Sequence, residues 1–505
     1  MEVSLKSLAE FLFQRRCLKE IKAPNLDSLS QNVSNICIDS RHVQRGALFC
    51  CLDGTKRRGI EFAHDAEQNG AIAVLATERI ENLNIPQLIV TNARDACGYA
   101  SAYFNGLPAS RLLLIGVTGT NGKSTTTYLI KSILDAGEMR CGLIGTIIYY
   151  DGEKEEEAER TTPQAPLIQN LLSRMVKNCC HACVMEASSH GIEQGRIVGC
   201  FYDRAIFTNL TPEHLDYHGD MDKYFAAKKK LLEKYMRGGW KVSTNVDDVY
   251  GKMIQETFEP YALSFSIRQR KKGRFYGSIV SSSLEGIVMD IVLPDGITLA
   301  NVVLPLIGEH NAYNALAACS TAWSLDFSPD VIRRGLETCP PVPGRLERYF
   351  IEDGSICVID YAHTPDALEK ALSTIRPLCG GKLWLVFGHG GDRFRENRPL
   401  LGSVAASLAD HIVVTMDNPR SEDPGEIALQ IVEGIKSSSR DPDYKIIIDR
   451  KEAVHFALDH ARANDVVLIT GKGPERQIIF KDHVVAYSDF DALKEWCDSR
   501  GKKFL

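Results

Sequence analysis

Residues 112–127 read Leu-Leu-Leu-Ile-Gly-Val-Thr-Gly-Thr-Asn-Gly-Lys-Ser-Thr-Thr-Thr. Leu112 to Ile115 is a short apolar run of the kind a buried strand shows. Gly116 to Gly122 is a glycine-rich turn, and Tyr128-Leu129-Ile130 with Ile133-Leu134 begins a helical pattern. Strand, glycine loop, Lys-Ser and helix together predict a phosphate cradle. Glycines let backbone N–H groups close on phosphate oxygens. The helix N-terminus adds partial positive charge and unsatisfied donors. Lys123 is placed to offset β/γ charge, and Ser124 to offer a hydroxyl to Mg²⁺. The strict pattern wants glycine where Val117 stands, and here Gly116 comes one residue early. The plain alternative is an ordinary tight turn; the strand and helix flanks argue against it.

The chain around this stretch has 505 residues, a length that suggests about three domains. Hydrophobic residues make up 44% and charged residues 25%, as in ordinary globular protein. The net charge of −6 supplies no global basic field, so phosphates are expected to be handled locally and nucleic acid is excluded as a partner. The N-terminal stretch from Met1 to Lys19 is amphipathic and mixed in charge, without an uninterrupted apolar core or a small-residue cleavage site. No apolar run approaches the ~20 residues of a membrane span. A cytosolic protein is expected. Fifteen cysteines are scattered along the chain. Cys179-Cys180-His181-Ala182-Cys183 is the nearest approach to a metal knuckle, but no second ligand pair matches it, and the expectation is reduced, buried thiols.

The first segment, 1–107, alternates strands and helices. Its strands are predicted at Ile36–Ile38, Ala47–Cys50, Ala71–Leu75 and Gln87–Val90. Asp39-Ser40-Arg41 follows the first, and Gly54-Thr55-Lys56-Arg57-Arg58-Gly59 the second. Such basic turns can hold a pyrophosphate or sugar, and can equally be solvated surface loops.

In the second segment, 108–341, the acidic stretch Asp151 to Glu159 predicts a mobile exposed hairpin or loop. Thr161-Thr162-Pro163 leads into a helix predicted at Leu167–Val176. Strands predicted at Ala182–Met185 and Arg204–Phe207 put Glu186 and His214 just past strand carboxyl ends, where an open α/β sheet faces its ligand. Either residue could instead be a cap or a loop hydrogen bond. The helix predicted at Met221–Tyr235 carries Met221, Phe225, Leu232 and Tyr235 on one stripe, and Lys228 falls on it too. A lysine there is unfavourable unless it snorkels or does chemistry. Arg268-Gln269-Arg270-Lys271-Lys272-Gly273-Arg274 reads as an exposed hairpin turn, since it lacks interleaved aromatics. Gly308 to Asn314 leads into an alanine-rich helix, Ala315–Trp323, and Pro340 to Arg345 marks a boundary.

The third segment, 342–505, alternates strands and helices in a pattern that predicts a parallel sheet with crossover helices. Strands are expected at Cys357–Asp360, Leu383–Phe387, Ile412–Met416, Lys445–Ile448 and Val466–Ile469, with helices at Ala367–Ile375, Leu400–Leu408, Ile427–Ile435 and Ala453–Ala461. Polar clusters follow four strands: Asp360–His363, Gly388–Arg393, Asp417–Arg420 and Gly471–Glu475. Their shared placement implies a common crevice.

Six motifs now stand together: Gly119-Thr-Asn-Gly-Lys-Ser124, Glu186-Ala-Ser-Ser-His190, Thr208-Asn-Leu-Thr-Pro-Glu-His-Leu-Asp-Tyr-His218, His310-Asn-Ala-Tyr-Asn314, Pro343-Gly-Arg345 and Asp360-Tyr-Ala-His-Thr-Pro365. Over nearly its whole length the chain resembles the Mur ligase family, in which the early Gly116 is normal. Within that family it is most similar to members adding the third residue of the peptidoglycan stem peptide. Asp417-Asn-Pro-Arg420 resembles the signature of those that take meso-diaminopimelate. The resemblance implies an α/β fold of three domains: an N-terminal UDP-binding domain (1–107), a central P-loop ATPase-like parallel-sheet domain (108–341) and a C-terminal Rossmann-like amino-acid-binding domain (342–505).

It also implies roles. Gly119, Thr120, Asn121, Gly122, Lys123, Ser124 and Thr125, with Asn311, Asn314, Arg345 and Asp360, would bind ATP. Ser40, Thr55, Lys56, Arg57, Thr161, Thr162, Ser188, Gln194 and Arg196 would hold UDP-N-acetylmuramoyl-L-alanyl-D-glutamate. Arg393, Asp417, Asn418, Pro419, Arg420, Gly471 and Glu475 would hold diaminopimelate, with Arg420 facing the carboxylate that lysine lacks. Ser124, Glu186 and His214 would hold Mg²⁺, joined by Lys228 as a carbamate (N6-carboxylysine), which turns a misplaced cation into an anionic ligand. Lys123, Lys228 and His214 are the implied catalytic residues. The implied reaction is ATP-driven amide formation through an acyl phosphate, in a monomer whose third domain closes on the second, in service of cell-wall synthesis, cell shape and division. Two positions depart from the pattern. Pro474 stands where the family usually has histidine, removing an N–H and a ring donor, and His389 receives no role. Rival readings are a folylpolyglutamate synthase of the same superfamily, against which Asp39-Ser-Arg41 and Asp417-Asn-Pro-Arg420 argue, and a non-catalytic scaffold, against which Lys123, Glu186, His214 and Lys228 argue.

Overall fold

In the central sheet the predicted cradle strand forms as Leu113–Thr118, flanked by parallel partners on both sides. The computed structural model describes residues 3–54, 56–270, 273–438, 440 and 442–504. The chain divides into two compact units, one made of Met1–Gly277, Val292–Ile297 and Tyr313–Gly335, the other of Ser278–Ile291, Thr298–Ala312 and Leu336–Leu505.

Besides a two-stranded pair of Val3–Ser4 with Asn32–Val33, the first unit contains strands of two larger sheets. The N-terminal one runs in the order Leu18–Lys22, Gln87–Val90, Ala73–Ala76, Ala47–Cys50, Asn35–Cys37, parallel except for its first pair. All four predicted strands are there, within two residues. Leu48 and Cys50 pack into one core cluster while Phe49 and Cys51 pack into another, so the period of two fills both faces. The second sheet runs Glu155–Glu157, Ile148–Tyr150, Cys141–Ile144, Ala182–Glu186, Leu113–Thr118, Tyr202–Phe207, Met236–Asn245, Ala262–Ser266. From Cys141–Ile144 onward it is parallel. Register sets Glu186 opposite Val117 and Phe207 opposite Thr118, so the polar segments after three adjacent strands emerge side by side.

Two local expectations change. The acidic stretch is a hairpin, but it is anchored: Asp151 is only 3% exposed, accepts from the Glu153 and Lys154 amides, and joins Glu156 on the Arg174 guanidinium. The basic run after Ala262–Ser266 is not a hairpin turn. The following strand, Phe275–Ser283, pairs parallel to Ala262–Ser266. The Asp247 carboxylate and Ser266 hydroxyl gather the amides of Ile267, Arg268 and Gln269 and turn the chain back. Lys271 and Lys272 of that run lie outside the described residues.

The second unit holds a six-stranded sheet in the order Glu347–Phe350, Ile356–Asp360, Val466–Thr470, Leu383–Phe387, His411–Val414, Asp443–Ile446. All pairs are parallel except the first, an edge strand the sequence pattern did not reveal. Leu385 and Phe387 face one core and Trp384 and Val386 the other, as crossover helices on both faces require. Those helices start where proline and a capping side chain coincide: Thr364 before Pro365, and Asp423 before Pro424. The alanine-rich helix begins earlier than its alanines suggest, at Glu309, and so includes His310 to Asn314.

Candidate active site

The cradle loop depends on two glycines. Gly119 has φ +142° and Gly122 φ +83°. A Cβ on Gly119 would stand 1.9 Å from Thr208 Oγ1, and one on Gly122 2.3 Å from Asn314 Oδ1. The loop is laced to the segment after Tyr202–Phe207. The Thr120 amide donates to Asn209 O at 2.9 Å, the Asn121 amide to Asn209 Oδ1 at 3.0 Å, and the Thr208 hydroxyl to Asn121 O at 2.7 Å. Helix Lys123–Ala136 follows directly, and the Thr126 hydroxyl donates to Asn314 Oδ1 at 3.2 Å. Thr125 and Ser124 are buried in its first turn.

Lys228, on helix Met221–Lys234, does not snorkel. It is 2% exposed, and its Nζ donates to Gly119 O at 2.8 Å. Lys123 Nζ donates to the same carbonyl at 3.1 Å and to Thr120 O at 2.7 Å. Burial, and then the Lys123 cation, push the Lys228 ammonium well below its ordinary value. Tyr224, one turn earlier, lies beneath Lys228 Nζ at 4.5 Å from the ring centroid, with its hydroxyl 3.3 Å from Thr120 Oγ1.

Glu186 is the last residue of strand Ala182–Glu186, not the first beyond it, and is 1% exposed. Thr146 holds both its oxygens, by its amide at 2.8 Å and its hydroxyl at 3.0 Å. His214 has φ +56° and begins the short helix Leu215–His218. Its ring meets that of His190 edge-on at 4.9 Å, and His218 Nε2 lies 3.0 Å from Ser189 Oγ. Burial is the main cause lowering His214, with Lys123 and Lys228 adding to it.

The residues expected to hold the nucleotide-linked substrate fall partly together. Thr162 Oγ1 donates to Glu186 O at 2.8 Å and accepts from the Ser188 amide at 3.0 Å. Arg196 donates to Thr162 O at 2.9 Å and to Gln194 Oε1 at 2.7 Å, and the Thr161 hydroxyl oxygen lies 3.0 Å from that of Thr146. Burial, with Arg160 and Arg94 nearby, pushes Arg196 down to about 10. Three guanidiniums so placed suit a polyanion, and Arg94 and Arg160 are residues that motif reading missed. Arg94, Arg196, Gln164 and Gln194 line one shallow crevice. Ser40 is buried, with its carbonyl accepting from Asn69 at 2.9 Å, whereas Lys56 is exposed and Arg57 pairs with Glu61. Thr55 lies outside the described residues.

In the second unit, the four polar clusters follow four adjacent strands. Asp360 accepts from the Leu346 and Ala362 amides, both at 2.8 Å; burial raises its carboxyl, opposed by Arg345. The Arg345 guanidinium lies 5.2 Å from the Tyr361 ring centroid, and Asn311 donates to Ile307 O at 2.7 Å. Arg420 has φ +52°, and its Nη1 donates to Gly391 O at 2.7 Å. Arg393 is exposed, and Pro419 is buried. Asn418 Nδ2 donates to Glu475 Oε2 at 2.9 Å. Lys472, completely buried, donates to Asn418 Oδ1 and to Glu475 Oε2, each at 3.0 Å. Gly471 has φ +109°, and a Cβ there would meet Asp417 Oδ2 at 2.5 Å. Pro474 packs where Gly344 leaves room, since a Cβ on Gly344 would stand 2.5 Å from its ring. His389 is 5% exposed beside the buried Arg398, whose guanidinium is gripped by Glu422 at 2.9 and 3.1 Å and by Gln430 at 2.7 Å.

Three family descriptions match the chain in order: "Mur ligase family, catalytic domain" at residues 32–106, "Mur ligase middle domain" at 117–322, and "Mur ligase, glutamate ligase domain" at 344–473. A relative from Alkaliphilus metalliredigens, named UDP-N-acetylmuramoyl-L-alanyl-D-glutamate–2,6-diaminopimelate ligase, is 39% identical over 475 residues, 93% of this chain and 94% of that protein. The chain belongs to the Mur ligase family. A Mur ligase of the same name from Alkaliphilus oremlandii is 36% identical over 97% of this chain and 100% of its own length. A solved structure, again of a UDP-N-acetylmuramoyl-L-alanyl-D-glutamate–2,6-diaminopimelate ligase, superposes with a TM-score of 0.69 at 30% identity, covering 99% of this chain and 100% of that one. The expected α/β Mur ligase architecture of three domains therefore stands. All fifteen cysteines are unpaired, and only Cys179 is exposed. Among the described residues no helix is long and apolar enough to cross a membrane.

The family implies a divalent cation, and the donors present suit Mg²⁺. Each Glu186 oxygen accepts one hydrogen bond from Thr146, leaving lone pairs free. Gly145 keeps the flank of Oε1 clear, because a Cβ there would stand 2.5 Å away. A carboxylate and a helix-start hydroxyl are hard oxygen donors of the kind Mg²⁺ takes.

Proposed function

We propose that this Mur ligase joins meso-diaminopimelate to the D-glutamate carboxyl of UDP-N-acetylmuramoyl-L-alanyl-D-glutamate, driven by ATP. The observation that carries the specificity is Arg420: in Asp417-Asn-Pro-Arg420 its guanidinium is held on Gly391 O, between loops whose other side chains are Asp417, Asn418 and Glu475. A fixed guanidinium selects an amino acid with a distal carboxylate.

The first unit supplies activation. Backbone amides of 119–125 and the helix start receive the ATP phosphates, with Asn314 as a further nucleotide contact; Asn311, Arg345 and Asp360, which belong to the second unit, are the other residues that the family resemblance assigns to ATP. Lys123 offsets the charge that develops as the γ-phosphoryl passes to the glutamate carboxylate. Ser40, Thr55, Lys56, Arg57, Thr161, Thr162, Ser188, Gln194 and Arg196 hold the nucleotide-linked dipeptide; the buried Arg196 beside Arg94 and Arg160 supports this. Mg²⁺ would be held by Ser124, Glu186, His214 and the Lys228 carbamate, and when bound it supplies charge screening of the phosphates. Lys228 is suited to carbamate formation because its depressed affinity for a proton leaves a neutral amine, the form that attacks CO₂. The amine of diaminopimelate then attacks the acyl phosphate and phosphate leaves. Arg393, Asp417, Asn418, Pro419, Arg420, Gly471 and Glu475 form its pocket.

The three domains are assigned to 1–107, 108–341 and 342–505, in a cytoplasmic enzyme working as a monomer. The test is phosphate release from ATP with the UDP-linked dipeptide and Mg²⁺, with meso-diaminopimelate or L-lysine added. Faster release with diaminopimelate is expected. Equal rates with L-lysine overturn the specificity, and no turnover with any combination leaves a scaffold.

A further inference from the structure

We infer that Lys472, together with the Ile479 amide, holds the donor and acceptor sense of the amino-acid pocket and supplies the counter-charge to its carboxylates, making it a positioning residue for the zwitterionic far end of the incoming amino acid. The inference rests on the diaminopimelate reading and adds to it a residue that is itself fully buried and whose ammonium is held by pocket side chains.

Burying an ammonium is unfavourable unless acceptors surround it. Lys472 has three: Asn418 Oδ1 at 3.0 Å, Glu475 Oε2 at 3.0 Å and Asp417 Oδ1 at 3.8 Å. The turn that presents it needs Gly471 at φ +109° and Gly473 at φ +50°, and closes with the Glu475 amide on Lys472 O at 3.0 Å.

The consequence lies in Asn418. Its Oδ1 accepts from Lys472 Nζ and from the Ile479 backbone amide, both at 3.0 Å. A backbone N–H can only donate, so the amide orientation is set, and both Oδ1 lone pairs are engaged. Asn418 therefore turns its NH₂ into the pocket. One N–H goes to Glu475 Oε2 at 2.9 Å and the other remains a donor. Glu475 is held by Lys472 and Asn418 on Oε2 and by the Tyr361 hydroxyl on Oε1 at 3.3 Å. The network around Lys472 thus carries a donor at Asn418 and acceptors at Asp417 and Glu475, and the neighbouring Arg420, on Gly391 O, adds a second donor to the proposed pocket. A far end bearing both carboxylate and ammonium matches that set of groups. The far end of lysine, an ammonium alone, leaves the donors unmet. Without the Lys472 cation, Asn418 Oδ1 keeps only the Ile479 amide to hold its orientation, and the Asp417 and Glu475 carboxylates lose their counter-charge.

The experiment compares full-length wild type, Lys472→Met, Glu475→Gln and the double variant by steady-state phosphate release, varying diaminopimelate, L-lysine and ATP. Expected are a rise of ~10-fold or more in KM for diaminopimelate in Lys472→Met, with KM for ATP within ~2-fold. The preference for diaminopimelate over lysine falls. In the double variant the rise is smaller than the product of the two single effects, because both act on one network. A KM for ATP that rises equally, an unchanged preference, or fully multiplicative effects overturn it. If Lys472→Met alone does not fold, the double variant, which removes one charge of each sign, is compared with Glu475→Gln. A further loss of diaminopimelate preference supports the inference, and no further loss overturns it. Wild type that does not respond to diaminopimelate refutes the functional reading instead. Responsive wild type with unaltered variants refutes only the role of Lys472.

Discussion

At the scale of single residues, two basic side chains carry the proposed chemistry. Lys228 sits on an otherwise apolar stripe with its Nζ on Gly119 O, in a place where a methyl group would be less expensive to bury. We expect Lys228→Ala to lower diaminopimelate-dependent phosphate release by ~100-fold or more, as for loss of a principal electrostatic group. Wild-type activity should fall in CO₂-depleted buffer and return with bicarbonate. Full activity in the alanine variant ends the carbamate assignment. Arg420 adopts φ +52°, uncommon for a non-glycine residue, with its guanidinium on Gly391 O. Arg420→Ala should raise KM for diaminopimelate by roughly 30-fold or more, the scale of one lost buried charge contact, while KM for ATP changes little. An unchanged KM for diaminopimelate contradicts the pocket. Both residues could be picked out from sequence, one by its clash with the helical stripe and one by its motif. The Thr146 hydroxyl on Glu186, the Tyr224 hydroxyl beside Thr120 and Lys472 on Asn418 could not, because each meets a partner remote in sequence.

At the scale of elements, the helix Asp489–Arg500 is fastened at its start by a buried ion pair. Arg450 reaches Asp489 by two bonds of 2.8 Å, both side chains fully buried, and also donates to Thr470 O and Met416 O. It therefore joins a helix start to the ends of two strands that lead into Gly471 and Asp417. Arg450→Met strands a buried carboxylate and should cost about 3–5 kcal/mol, read as a lower Tm. Arg450→Met with Asp489→Leu should recover part of that loss, and no recovery would show that the pair's other hydrogen bonds matter more. Elements with strong periodicity, such as Leu383–Phe387 and the helices behind Pro365 and Pro424, were legible in sequence. The edge strand Glu347–Phe350 and the parallel pairing of Phe275–Ser283 were not, because pairing partners are chosen by tertiary packing rather than by local pattern.

At the scale of the whole molecule, acid sensitivity should track the network around Arg398 in the second unit. Burial, helped by Arg398, pushes His389 down from 6.5 to about 4. A base whose affinity for protons is lower in the folded state makes the unfolded state the better proton binder as pH falls. Its contribution is therefore present above pH 6.5 and lost as pH falls toward 4. Glu422, held down to about 2 chiefly by its hydrogen bonds to Arg398, contributes above its ordinary 4.5 and loses that on falling toward 2. Thermal unfolding should show Tm declining between pH 6.5 and 4, with a shallower decline in His389→Asn. An identical slope in that variant would place the sensitivity elsewhere.

Local patterning was enough to establish the α/β class, the order of most strands, the phosphate loop and the membership of the family, because these depend on periodicities and glycine placements written within a few consecutive residues. Three-dimensional packing alone settled which side chains those loops meet: two lysines on one carbonyl, a glutamate clasped by a threonine from the turn after a neighbouring strand, and a buried lysine on an asparagine side-chain oxygen. Such contacts arise between segments tens to hundreds of residues apart, and their strength depends on exclusion of water, which no stretch of sequence reports on its own.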